Sequence, residues 1–221
     1  MEESKRIWQL TLVLAAVAGY CDTVTFVTAD TIFSAHVTGN FVVFAYQFIS
    51  AQDANAWIKL ITFPTFILAV MVGGRLSGGL ISGRKLLLIE GLVLLATGIT
   101  WWLLNLFFNQ PSGIYLLVMC VVFAMGLQNA FNKIFPKEIY GPTTMMTGNV
   151  TQASLDFGNL LKSRFKDLQG RQSLKKGLVL IGGFLIGCIF GALLGKAFGF
   201  GTVALAGVMV IICYRYTGTS D

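Results

Sequence analysis

Charge is scarce in this chain. Asp, Glu, Lys and Arg make up 12% of 221 residues, against about 25% in soluble domains. Too few charged groups remain to solvate an ordinary globular surface, and 55% of the residues are hydrophobic. Histidine is reduced to His36, so no metal centre is expected. The four cysteines, Cys21, Cys120, Cys188 and Cys213, are widely spaced in apolar runs. No CxxC pair exists, so they read as buried thiols acting as small hydrophobes. There is no Ser-His-Asp set, no GxSxG, no HExxH and no phosphate-cradling Gly-Lys motif. The chain is therefore not expected to be an enzyme, and no cofactor is expected.

The net charge of +6 is not a nucleic-acid signature. Six basic residues fall between Lys162 and Lys176, and the aromatics lie mostly in the apolar runs, away from them. No stacking platform accompanies the charge. The segment reads as a basic cytoplasmic loop.

What the chain has is length in apolar runs. About 20 residues of helix cross roughly 30 Å of hydrocarbon. Spans are expected near Ile7–Thr28, Trp57–Ile81 (with Pro64 inside it), Leu86–Phe108, Ile114–Phe131 and Gly177–Phe198, with a short sixth at Thr202–Tyr214. The first is read as a retained span, not a removed signal, since Asp22 interrupts it. The fold class expected is an all-α polytopic membrane protein, one membrane domain over residues 1–221.

Two stretches stand apart from the spans: His36-Val37-Thr38-Gly39-Asn40 and Met145-Met146-Thr147-Gly148-Asn149. Each opens a segment of helical character, Asn40–Ser50 and Asn149–Phe165. The Thr-Gly-Asn triplets are offset by 109 residues, and two further landmarks recur in register. Gly19-Tyr20-Cys21-Asp22 matches Gly126-Leu127-Gln128-Asn129, and Gly73-Gly74-Arg75-Leu76-Ser77-Gly78 matches Gly182-Gly183-Phe184-Leu185-Ile186-Gly187. An internal duplication follows, with halves at about 7–108 and 114–216, a construction frequent in transporters.

Lys and Arg choose the topology. With both triplet segments re-entrant or broken, six spans leave a cytoplasmic N-terminus, and only Lys59 and Lys196 fall outside. With both crossing, Arg84, Lys85, Lys133 and Lys137 move outside. The six-span arrangement is the better one. Three crossings per half then invert the halves, so one Thr-Gly-Asn segment enters from each face. Both termini are expected in the cytoplasm.

The chemistry follows from helix ends. A half-helix start presents free amides and a positive dipole end. Thr suits an N-cap, Gly admits a close approach, and Asn donates and accepts. Two such ends facing each other favour an anionic or polar solute. The expected solute-binding residues are Thr38, Gly39, Asn40 and Gln47 in the first copy, and Thr147, Gly148, Asn149, Gln152 and Asp156 in the second. Their competing role is a polar seam between helices. Asp22, fifteen residues into its span, is the expected coupling or gating carboxylate, with Asn129 its repeat partner. Arg75 either pairs with Asp22, contacts the solute or snorkels toward the cytoplasm. Glu90 reads as a partner of Arg84 and Lys85, and Lys59 as an interfacial anchor. Gly183, Gly187, Gly191 and Gly195, echoed by Gly74-Gly78 and Gly79-Gly83, permit close helix contact within the chain or a homodimer seam.

These motifs carry a resemblance. Gly19-Tyr20-Cys21-Asp22-Thr23-Val24-Thr25-Phe26 followed by His36-Val37-Thr38-Gly39-Asn40 resembles the signature of the YoaK family of bacterial integral membrane proteins, a domain of unknown function. Gly126-Leu127-Gln128-Asn129-Ala130 and Thr144-Met145-Met146-Thr147-Gly148-Asn149 are similar to its second-half pattern. The one departure is Cys21, where the family pattern has a small aliphatic residue. The resemblance implies a bacterial inner membrane and roughly six spans, and it supplies no activity, substrate or site residue.

The expected function is a small-solute transporter or channel with a polar or anionic solute site. The alternative is a membrane scaffold or sensor that binds a partner through 162–176. The expected partners are the lipid bilayer and an unknown small solute, with no nucleic acid.

Overall fold

The structure, a computed structural model, describes residues 2–50, 55–77, 83–107 and 113–217. The expected loops at 52–54 and 109–111 and the start of the turn at Ser82 lie outside these residues. Eight α-helices follow in order: α1 Glu2–Thr28, α2 Gly39–Ser50, α3 Ile58–Ser77, α4 Gly83–Phe107, α5 Ile114–Ile134, α6 Met146–Lys162, α7 Leu168–Phe198 and α8 Val203–Thr217. Five of them, α1, α3, α4, α5 and α7, are long and apolar enough to cross a membrane. The expected sixth span is α8, whose 15 residues reach about 22 Å, short of the hydrocarbon thickness. It follows a reversal at Gly199, where φ of 77° suits a residue without a Cβ.

Apolar side chains point outward in number. On α7, Leu185, Ile186, Ile189, Phe190 and Leu193 are all exposed, while its glycines are buried. Such a surface is compatible with lipid around it.

Small residues set the helix pairing. Gly183, Gly187, Gly191 and Gly195 meet Leu12, Ala16, Tyr20 and Val24 in turn, so α1 and α7 run parallel in tight register. A Cβ on Gly187 would stand 2.0 Å from the Ala16 carbonyl oxygen, far inside van der Waals contact. This stripe therefore faces α1 of the same chain. Thr65 reaches Met119, Ala69 meets Gly126 and Gly73 meets Ala130, which makes α3 and α5 parallel too. Helices α4 and α8 pack antiparallel through Gly91, Gly98 and Gly207. The core runs along α1 and α5, through Leu14, Val17, Ala18, Val121, Ala124 and Met125.

Two helix starts differ from the sequence reading. Helix α6 begins a turn early, at Met146, with Met145 as a cap residue whose side chain makes no bond. Thr147 is thus inside the helix and caps nothing. The basic segment is mostly helical: α6 ends at Lys162 and α7 starts at Leu168, because Asp167 accepts the Gln169 amide at 3.0 Å as a true N-cap.

Candidate functional site

After α1 the chain reverses at Asp30 and Thr31, two non-glycine residues with φ of 54° and 57°. This turn folds 32–38 back along the helix. Asp22 catches it. One carboxylate oxygen accepts the Ala35 amide at 2.6 Å, the His36 amide at 3.3 Å and the Ser34 hydroxyl at 3.5 Å. The other pairs with His36 Nδ1. Asp22 and Ser34 are buried, so each of these bonds replaces water that is absent. Asn40, also buried, holds the base of the loop. Its carbonyl accepts the Phe33 amide at 2.8 Å, and its amide donates to Phe33 O at 2.8 Å and Thr62 Oγ1 at 3.0 Å.

His36 lies in this loop, between the long helices. Its Nδ1 holds the Asp22 carboxylate, and its ring meets Phe184 of α7 edge-on, with centroids 5.4 Å apart.

The second loop repeats the device with neutral groups. Gln128 on α5 donates to Leu14 O of α1 at 2.8 Å and to Thr143 Oγ1 at 2.7 Å. Asn132 donates to the same hydroxyl at 3.0 Å, and Asn129 accepts from Thr144 Oγ1 at 2.8 Å. Asn149 donates to Pro142 O at 2.8 Å. Asn40 and Asn149 thus each grip the carbonyl seven residues back. Pro142 has no N–H, so the return bond that Phe33 gives Asn40 has no counterpart.

The two helix mouths differ. In α2 the Gly39, Asn40 and Phe41 amides donate to the carbonyls of His36, Val37 and Thr38, closing the helix start. In α6 the first closing bond is Asn149 N to Met145 O at 3.4 Å, and among the described residues the Met146, Thr147 and Gly148 amides have no backbone partner. Gly39 makes room for the Phe33 ring, 3.1 Å from where a Cβ would stand, whereas nothing lies within 4 Å of one on Gly148.

The other expected site residues scatter. Thr38, Thr147 and Gly148 are exposed. Gln47 reaches toward Asp30 at 3.5 Å, and Gln152 donates to Asp156 at 2.9 Å. Asp156 is buried, and among the described residues its second oxygen has no hydrogen-bond partner. Asn129 donates back to Met125 O at 3.0 Å. Arg75 is exposed in the last turn of α3, and the Asp22 carboxylate is engaged by His36 instead. Lys59 is no interfacial anchor: it is fully buried and pairs with Asp30 at 2.6 Å. Nor is Glu90 seen as an ion-pair partner. It is buried in α4, neither oxygen has a hydrogen-bond partner among the described residues, and it lies within electrostatic reach of Cys21 and Cys213. Cys21 and Cys213 are buried, Cys120 and Cys188 partly so.

Four residues were missed from sequence: His36, Thr143, Gln128 and Lys59. Two carried a signal: His36, as the single histidine beside the first triplet, and Gln128, within a recurring landmark.

A family model described as a protein of unknown function (DUF1275) matches residues 10–215. This agrees with the resemblance read from the paired motifs. No curated protein and no solved structure matches the chain.

Proposed function

We propose that this chain, which belongs to the DUF1275 family of proteins of unknown function, is a small-solute transporter or channel built as an inverted 3+3 repeat of six crossings. Both termini are cytoplasmic and the setting is a bacterial inner membrane. Helices α2 and α6 are re-entrant, one from each face. The observation that carries this reading is the convergence of the two loop tips on α1. The first tip bonds Asp22, and the second reaches Leu14 through Gln128. These positions are eight residues apart, or about 12 Å of helix. They flank the midpoint of the apolar stretch Ile7–Thr28. Each tip also bonds its own preceding helix about six residues back from the end: Asp22 against Thr28, Gln128 against Ile134. Irregular backbone at membrane depth is tolerated only inside protein or beside a water-filled path. Two polar tips leave about two-fifths of the hydrocarbon thickness between them.

The solute is small and polar or anionic. It meets the open amides of α6 from one side and the Asp22–His36 pair from the other, with Asp22 as the gating carboxylate. Asn40 and Asn149 shape the tips as much as they meet the solute. Stopped-flow swelling of proteoliposomes against glycerol, urea, formate and nitrate tests this. Protein-dependent flux of at least one probe is expected, falling to the protein-free rate in Asp22→Asn. Flux of none, or equal flux in the variant, would contradict the assignment.

The scaffold or sensor reading draws on the exposed basic residues between Lys162 and Lys176. A partner captured only when that segment is intact, with no flux of any probe, would favour it.

A further inference from the structure

An open cleft of about 740 Å³ lies where the first turns of α1 meet α7. Lys5, Lys175 and Lys176 line it, with Gln172, Trp8 and Tyr140. Glu3 is the one acid on its wall, so the lining carries a net positive charge. Arg6, beside it in sequence, is occupied by Glu138 at 3.3 Å. Among the described residues none of the three lysines makes an ion pair. Lys176 instead sits over the Tyr140 ring, 5.4 Å from its centroid.

The register of α1 on α7 fixes the level of this cleft. The apolar stretches Ile7–Thr28 and Gly177–Phe198 run parallel, with Leu12 against Gly183 and Ala16 against Gly187. Lys5 and Lys176 therefore stand at the same height, one turn or less outside both apolar stretches. If these helices span, that is where lipid phosphates lie. Trp8 and Tyr140 are the aromatic residues favoured at that depth, apolar in body and polar at one edge. A free anion needs only the lysines, whereas this cleft also has an aromatic wall of Tyr140 and the exposed Trp8.

We infer that the Lys5–Lys175–Lys176 cleft is a binding site for the phosphate headgroup of an acidic phospholipid. The ammonium groups and Gln172 meet the phosphate and its charge, while Trp8 and Tyr140 bracket the glycerol region. The site is separate from the solute path, and its test does not depend on transport.

Native mass spectrometry of the full chain, titrated with phosphatidylglycerol or phosphatidylcholine, tests the inference. Near a charged surface each lysine is worth roughly a factor of five. The variant K5Q/K175Q/K176Q should therefore hold phosphatidylglycerol roughly 100-fold more weakly than wild type. K5R/K175R/K176R should retain it, and Lys196→Gln, at the far end of α7, should change nothing. Phosphatidylcholine should bind weakly to all. Equal phosphatidylglycerol binding in wild type and the triple glutamine variant would overturn the site. So would equal binding of the two lipids by wild type. Competition by millimolar inorganic phosphate would assign the cleft to a free anion instead and overturn the lipid claim.

Discussion

Asp22→Ala is expected to destabilise the protein by about 3 kcal/mol, because removing the buried carboxylate strands the buried donors it holds. The carboxylate holds two backbone amides, a hydroxyl and the His36 ring. Without it, buried donors at Ala35 and Ser34 lose their acceptor. The Asn40 grip on Phe33 remains, so the loss should concentrate in the loop tip. Asn129→Ala in the second loop removes a neutral pair with Thr144 and should cost about 1 kcal/mol. Thermal unfolding in detergent, with limited proteolysis of residues 29–38, reads both. Equal costs at the two tips would contradict the assignment of the charged tip as the more tightly held.

Gly187→Ala is expected to cost about 3 kcal/mol, at the upper end for overpacking a close contact. The obstacle is the Ala16 carbonyl, part of a helical backbone that cannot rotate away as a side chain would. The new methyl must push α1 and α7 apart along their whole seam. Gly182→Ala is the matched control. It makes the same chemical change five residues earlier on α7, where nothing among the described residues lies within 4 Å. There the gain in helix propensity should prevail, at about 0.5–1 kcal/mol. Melting temperatures that move together in the two variants would contradict the register described here.

The sequence made the glycine seam legible because a four-residue repeat of Gly matches one helix face. It could not show that α1 lies on that face, since parallel packing depends on every turn between. Asp22 was legible as a buried carboxylate from its depth in an apolar run. Its partner was not, because His36 is fourteen residues away across a left-handed turn that Asp30 and Thr31 form without glycine. Asn40 and Asn149 stood out as a repeated word, yet their grip on Phe33 and Pro142 spans seven residues of irregular chain, where no period applies. Lys59 reads as an anchor by position, and only the returning loop brings Asp30 over it. Pro142 carried an unread clue: a proline there already forbids the bond that Phe33 makes in the first copy.

The central claim is that the two loops enter from opposite faces. Parallel packing puts the start of α3 and the end of α5 at opposite ends of the bundle. Single cysteines at Asn55 and Lys137, in a background with the four native cysteines replaced, report this through an impermeant maleimide. The account predicts that Asn55→Cys is labelled in intact cells and Lys137→Cys only after the membrane is opened. Labelling of both positions from the same face would contradict it.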